Sequence, residues 1–151
     1  MARIRILLPL LLLWMALGYG CQAQQDSNKP ASVGTTASPA PAAATVEVVN
    51  VDAATKLIAS DANLQILDVR TPEEVAAGVI AGAKIANWFD ADFAQKATSS
   101  LDKGKPVLVY CKAGSRSSKA ANVLLENGFS KVYNLEGGIT AWNGAGKPLQ
   151  K

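Results

Sequence analysis

A continuous apolar segment at residues 106–110, Pro-Val-Leu-Val-Tyr, constrains the fold of this chain most. A strand that is apolar at every position is typical of a parallel sheet covered on both faces, because neither face then meets water. A short Gly-containing loop at residues 111–114 follows at once, and a helical pattern occupies residues 115–127. Since strand, loop and helix in this order build open parallel sheets, we predict an α/β fold.

The same alternation of strand and helix repeats along residues 45–151. Asp52 is the predicted cap of the first helix, and Thr71 with Pro72 and Glu74 is a typical start of the second. We therefore expect a central parallel sheet of about five strands with helices on both faces. The predicted strands are residues 46–51, 64–69, 84–86, 106–110 and 132–135, and the other predicted helices are 91–99, 115–127 and 139–143.

The first 20 residues have the composition of a secretory signal peptide. Arg3 and Arg5 provide a basic start, and the apolar run that follows spans 12 residues, 6–17. A helix needs about 20 apolar residues to span the hydrocarbon core. This run therefore predicts a signal peptide and an exported protein, in preference to an uncleaved membrane anchor.

Small residues lead into Cys21 in the segment Leu-Gly-Tyr-Gly-Cys, which resembles the bacterial lipobox. Such a cysteine is acylated, so Cys21 is the predicted lipidation site and the only link to a membrane. Cleavage after Ala23 stays open as an alternative and would give a soluble periplasmic protein. Residues 21–44, rich in Ala, Ser, Pro, Gln and Thr, are the predicted disordered tether. We expect the domain on the periplasmic side, with the outer membrane preferred.

The charge and the rare side chains exclude several classes of function. Without Arg3 and Arg5, thirteen basic residues face twelve acidic ones, and no basic stripe indicates nucleic acid. The chain contains no His, which removes Cys–His and Ser–His mechanisms and His metal sites. We expect no metal and no cofactor. If Cys21 is acylated, Cys111 is left as an odd cysteine, which in an exported protein indicates a free thiol.

Cys111 stands at the end of the predicted buried strand, where ligands bind in parallel sheets. The main-chain N–H groups of the loop that follows can form a positive cradle at a helix start. Such a cradle lowers the pKa of a cysteine and gives a thiolate at neutral pH. The basic side chains of the loop favour an anionic substrate. The predicted site consists of Cys111 as the nucleophile and of Lys112, Ala113, Gly114, Ser115 and Arg116 as substrate-binding residues.

Four segments of the chain resemble the single-domain rhodaneses, a family of sulfurtransferases. Residues 111–117, Cys-Lys-Ala-Gly-Ser-Arg-Ser, resemble the active-site loop of that family. Residues 67–74 resemble its Asp-Val-Arg segment, and residues 78–83 its Gly-His-Ile-Pro-Gly-Ala segment, with Val79 in place of the His and Ala81 in place of the Pro. The four segments occur in family order, and residues 45–151 are identified as a rhodanese-like domain. The fourth of these segments, residues 135–138 with Trp142 and Pro148, resembles the Gly-Gly…Trp…Pro tail of the family.

The resemblance implies a thiosulfate sulfurtransferase that works in two steps. The Cys111 thiolate takes the sulfane sulfur of thiosulfate or a similar donor, and a thiol acceptor, or cyanide in an assay, removes it from the resulting persulfide. Lys112 and Arg116 are implied to hold the sulfonate oxygens of the donor. Asp68 and Arg70 are implied to support the structure of the site. A periplasmic thiol reductase is considered as a partner, because Cys111 must stay reduced.

Two other functions stay open at this point. The first is a non-catalytic persulfide carrier or a rhodanese-like binding module. The retained Cys111 argues against an inactive domain but not against a carrier. The second is a Cys-dependent phosphatase or arsenate reductase, whose loop resembles Cys-x5-Arg. Here only four residues separate Cys111 from Arg116. The shorter loop offers a smaller ring of main-chain N–H groups, which favours a single sulfur atom over a tetrahedral phosphate.

Overall fold

A computed structural model describes residues 44–151 of the chain. The predicted signal peptide, Cys21 and nearly all of the tether lie outside the described residues. Within residues 44–151, no helix has the length and apolar character needed to cross a membrane. The elements are β1 Thr45–Val49, α1 Val51–Ser60, β2 Gln65–Asp68, α2 Pro72–Val75, β3 Ala83–Ile85, α3 Phe93–Ser100, β4 Val107–Tyr110, α4 Ser115–Glu126, β5 Lys131–Leu135 and α5 Gly138–Gly144.

The five strands form one parallel sheet in the order β1-β5-β4-β2-β3. The predicted parallel sheet is therefore confirmed. β4 lies in the middle and is buried at all four positions, as its continuous apolar sequence predicts. Cys111, the residue after β4, consequently lies at the centre of the carboxyl edge of the sheet.

Helices cover both faces of the sheet, as predicted. The successive side chains of β4 alternate between two hydrophobic cores. Val107, Val109 and Cys111 belong to the core beneath α3 and α4, whereas Leu108 and Tyr110 belong to the core beneath α1 and α5. This alternation turns the side chain of Cys111 towards the face that α4 covers.

The start of α1 differs from the sequence prediction. Asn50, and not Asp52, caps this helix, and its Oδ1 accepts a hydrogen bond of 2.9 Å from the N–H of Ala53. The helix begins at Val51, two residues earlier than a cap at Asp52 predicts. Asp52 therefore lies in the first turn, where a carboxylate meets the positive end of the helix dipole.

The predicted start of α2 is confirmed and forms a reciprocal capping box. The Thr71 hydroxyl accepts a hydrogen bond of 3.4 Å from the N–H of Glu74, and the Glu74 carboxylate accepts one of 3.1 Å from the N–H of Thr71. Pro72 occupies the first turn, where its missing N–H costs nothing. The short helix thereby fixes the main chain and the side chain of Glu74.

Candidate active site

The loop that carries Cys111, here called the cysteine loop (residues 111–114), joins β4 to α4. Gly114 ends the loop at φ +102°, a left-handed conformation that glycine adopts without steric cost. This turn directs the N–H of Gly114 back to the Sγ of Cys111 at 3.1 Å. The hydroxyl of Ser117, in the first turn of α4, lies 3.5 Å from the same sulfur. The sulfur therefore faces donors from the loop and from the helix start.

The hydroxyl proton of Ser117 has two acceptors within reach. The oxygen lies 3.5 Å from the Sγ of Cys111 and 3.0 Å from the carbonyl oxygen of Gly114. A hydroxyl has one proton and can donate it to one acceptor at a time. Because a charged acceptor forms the stronger hydrogen bond, ionisation of Cys111 favours the bond to sulfur.

Two opposing effects act on the pKa of Cys111. The residue is 1% exposed, and this burial alone raises the pKa of its thiol. Hydrogen bonds from the Ser117 hydroxyl and from the main-chain N–H groups of Ser117, Gly114 and Ala113 outweigh the burial. The net result is a pKa below the ordinary value of a cysteine, so the site stabilises the thiolate relative to that of a free cysteine.

The start of α5 holds the outer side of the cysteine loop. The carbonyl of Cys111 accepts a hydrogen bond of 2.9 Å from the N–H of Ile139. The carbonyl of Lys112 accepts bonds from Thr140, of 3.1 Å from its N–H and 2.9 Å from its hydroxyl. The C=O and N–H of one peptide plane point in opposite directions. Anchoring these carbonyls on α5 therefore turns the N–H groups of the loop away from α5 and leaves them for the sulfur.

Arg116 lies in the first turn of α4 and forms a two-pronged salt bridge with Glu74. The distances are 2.7 Å from Nη1 to Oε2 and 2.8 Å from Nη2 to Oε1. The guanidinium carbon also lies 5.5 Å from the centre of the Phe89 ring. The hydrogen bond from Arg116 lowers the pKa of Glu74 from 4.5 to about 2. The pair is therefore fully charged at neutral pH.

The other predicted substrate-binding residues lie beside the sulfur on the same loop. Lys112, Ala113 and Ser115 are exposed, and Gly114 is half-buried. Their contribution near the sulfur is made by main-chain N–H groups, of which those of Gly114 and Ala113 lower the pKa of Cys111. The structure thus brings all six predicted residues of the site together on one loop and one helix turn.

Asp68 and Arg70, predicted as structural support, form a buried salt bridge with a distance of 2.6 Å from Nη2 to Oδ2. The guanidinium of Arg70 also donates to the carbonyls of Glu74 and Gly78, in both cases over 2.8 Å. Arg70 therefore fixes the main chain within α2 and just after its end. Through Glu74 this network reaches Arg116 and the start of α4.

Sequence reasoning missed three residues that shape the site. Ser117 lies inside the quoted loop motif, but its hydroxyl received no role. Glu74 was expected only as an acidic residue near a helix start, since its partner Arg116 is 42 residues away. The hydroxyl of Tyr110 accepts a hydrogen bond of 3.1 Å from the N–H of Ile80, and burial together with the charge of Asp68 raises the pKa of this tyrosine. No local pattern in the sequence indicates these last two contacts.

Comparison with known proteins assigns the chain to a protein family. The family model described as a rhodanese-like domain matches residues 50–145. The chain is 31% identical over 104 residues to a sulfurtransferase of Allochromatium vinosum, an alignment that covers 69% of this chain and 94% of that protein. It is 39% identical over 79 residues to the thiosulfate sulfurtransferase GlpE of Pseudomonas aeruginosa, covering 52% of this chain and 68% of GlpE.

Solved structures show the same likeness. The crystal structure of a rhodanese-like domain protein from Staphylococcus aureus superimposes with a TM-score of 0.59 at 30% sequence identity. The superposition covers 70% of this chain and 99% of that structure. The shared part corresponds in extent to the described residues of this chain, which contain the sheet and the cysteine loop.

Proposed function

The chain belongs to the rhodanese-like family, and on this basis we propose that it transfers sulfane sulfur from thiosulfate, or a similar donor, to a thiophilic acceptor through a Cys111 persulfide. The observation that carries the proposal is the hydrogen bond of 3.1 Å from the N–H of Gly114 to the Sγ of Cys111. Together with Ser117 it stabilises a thiolate in a chain that has no His to act as a base. Relatives named sulfurtransferase support the same reaction class.

The first step needs no base once Cys111 is ionised. The Sγ thiolate attacks the outer sulfur of thiosulfate, a new S–S bond forms, and the S–S bond of the donor breaks. The electron pair of that bond leaves with sulfite. Two negative ends, the attacking thiolate and the departing sulfite, share the transition state, and N–H donors aimed at the sulfur stabilise this charge.

The second step returns the enzyme to its starting state. An acceptor thiolate attacks the outer sulfur of the persulfide, and the electron pair of the persulfide bond returns to the Sγ of Cys111. With cyanide as the acceptor the product is thiocyanate. Cys111 is a good leaving group because the donors that lower its pKa also stabilise the departing thiolate.

Intact-mass measurement after incubation with thiosulfate tests the proposal. We expect the mass of one added sulfur atom on Cys111 and its loss after cyanide, with one thiocyanate per sulfur removed. The Cys111→Ser variant should fold and gain no sulfur. A wild-type protein that gains none under the same conditions contradicts the proposal.

The same experiment separates the two alternatives. Sulfur that is taken up once but never turned over with cyanide or thiols would show a persulfide carrier. Hydrolysis of an aryl phosphate in place of sulfur transfer would show a Cys-dependent phosphatase.

We also propose that the domain acts on the periplasmic side of a bacterial membrane, held there by an acylated Cys21. The support is the signal-like composition of residues 1–20 and the lipobox-like segment that ends at Cys21. Fractionation of cells that express the full chain tests this, with membrane association expected for the wild type and its loss for Cys21→Ser. Equal distribution of the two proteins would refute the lipid anchor and favour release after Ala23.

A further inference from the structure

Glu74 and Arg116 form an ion pair at the cysteine loop that the sulfur-transfer mechanism does not itself require. Arg116 is the residue expected to hold an anionic donor, yet both of its terminal nitrogens already bind a carboxylate. We propose that Glu74 determines the charge preference of the site, because it occupies Arg116 and weakens the binding of doubly charged donors. The inference rests on the proposed function and adds a specificity-determining residue to it.

The ion pair occupies two of the five N–H donors of Arg116 and neutralises its charge. A guanidinium binds a carboxylate best through two parallel N–H···O bonds, and Glu74 forms both, at 2.7 and 2.8 Å. The guanidinium carbon also lies over the Phe89 ring, 5.5 Å from its centre. A donor must therefore compete with Glu74 or bind without the full use of Arg116.

Glu74 is held in this position from three directions. Its carboxylate accepts the N–H of Thr71, its own N–H binds the Thr71 hydroxyl, and its carbonyl accepts a bond of 2.8 Å from Arg70. Arg70 is in turn fixed by the buried Asp68. Because its main chain and its side chain are both restrained, the carboxylate does not simply swing away when a donor arrives.

The ion pair is close enough to the reacting sulfur to act on a donor. Arg116 is separated by one residue from Gly114, whose N–H binds the Sγ of Cys111, and it directly precedes Ser117. The charge of Cys111 is also among the causes that raise the pKa of Arg116. A donor that reacts at Cys111 thus brings its oxygens close to an ion pair whose net charge is zero. Without Glu74, the same oxygens would meet the full positive charge of Arg116.

Two donors of matched chemistry test the proposal. Thiosulfate carries two negative charges and benzenethiosulfonate carries one, while both transfer a terminal sulfur attached to a sulfonyl group. Glu74→Gln removes one negative charge, keeps the shape of the side chain and preserves the capping box, which accepts Gln in place of Glu. Coulomb energy is proportional to the charge of the donor, so the change in binding free energy should be twice as large for thiosulfate.

We expect the KM for thiosulfate to fall about tenfold in Glu74→Gln and that for benzenethiosulfonate about threefold, the square root of the first change. Glu73→Gln is the matched control, because it makes the same charge change at the adjacent, exposed residue of α2. Both KM values of this control should stay within about twofold of the wild type. Thermal melts of the variants verify folding, and Glu74→Ala repeats the test if the Gln variant is unstable.

Several results would overturn the proposal. Equal changes in KM for both donors would show that the charge of Glu74 does not act on the donor. A higher KM for thiosulfate in Glu74→Gln would show that Glu74 holds Arg116 in a productive position. Either result leaves sulfur transfer by Cys111 intact, whereas failure of the wild type to form a persulfide from either donor refutes the proposed function itself.

Discussion

The N–H of Ile139 binds the carbonyl oxygen of Cys111 over 2.9 Å and fixes the main chain of the nucleophile on the start of α5. This close approach depends on the preceding residue, Gly138, at φ +55°. A Cβ at Gly138 would lie only 2.7 Å from the carbonyl oxygen of Lys112, which is less than the sum of the van der Waals radii of the two atoms. The position of the cysteine loop thus requires a glycine in another element.

Gly138→Ala should displace the cysteine loop and reduce both stability and sulfur transfer. We expect the free energy of unfolding to fall by at least about 2 kcal/mol, because the methyl group meets main-chain atoms and the left-handed conformation is strained. Gly144→Ala is the control on the same helix, since nothing lies within 4 Å of its Cβ. Urea unfolding and thiosulfate kinetics check both variants, and equal stability of the two would contradict the role given to Gly138.

Ser117→Ala should make Cys111 less reactive at neutral pH. The hydroxyl is the first of the hydrogen-bond donors that lower the pKa of Cys111 against the effect of burial. Its removal should raise that pKa and slow alkylation by iodoacetamide at pH 7 by about tenfold, the effect of losing one hydrogen bond to a charged group. Ser118→Ala, an exposed neighbour, serves as the control and should alkylate at the wild-type rate. A pH profile of alkylation that is identical in both variants would contradict this prediction.

Arg70→Ala should destabilise the domain by about 3–5 kcal/mol, because it leaves the carboxylate of Asp68 buried without a counter-charge. It also removes the donors to the carbonyls of Glu74 and Gly78. Lys96→Ala breaks an exposed ion pair with Asp90 and should have little effect. Urea unfolding measures both changes, and a small loss for Arg70→Ala would show that water replaces its contacts.

The ion pair of Glu74 should appear in the pH dependence of stability. The pKa of Glu74 is lowered from 4.5 to about 2 in the folded state, chiefly by the hydrogen bond from Arg116. The stabilisation is therefore complete above about pH 4.5 and is lost as the pH falls towards 2. Glu74→Gln should lose less stability than the wild type in this window, whereas Glu126→Gln, at the exposed end of α4, should follow the wild type. Parallel curves for all three proteins would contradict the lowered pKa.

The parts of the fold that could be predicted are those that a pattern of neighbouring residues specifies. The apolar run of β4 predicted a strand buried on both faces, and Thr71 with Pro72 and Glu74 predicted the start of α2. At α1 the sequence predicted Asp52 as the capping residue, whereas the structure uses Asn50 because the helix begins at Val51. The order of the strands also did not follow from local patterns.

The candidate site likewise contains a part that the sequence predicts and a part that it does not. The cysteine loop could be predicted because its residues are contiguous and follow a strand. The ion pair of Glu74 with Arg116 could not, since it depends on how α2 lies beside the start of α4 in the folded protein. The signal peptide and the acylation of Cys21 concern residues that the structure does not describe, and they stay predictions.

The pairing of β1 with β5 has a consequence for the newly made chain. β1 is the first strand of the described residues, whereas its partner β5, which ends at Leu135, is the last of them. A nascent chain therefore cannot complete the native sheet until β5 has been synthesised. Until then β1, an edge strand of the sheet, lacks the strand with which it pairs.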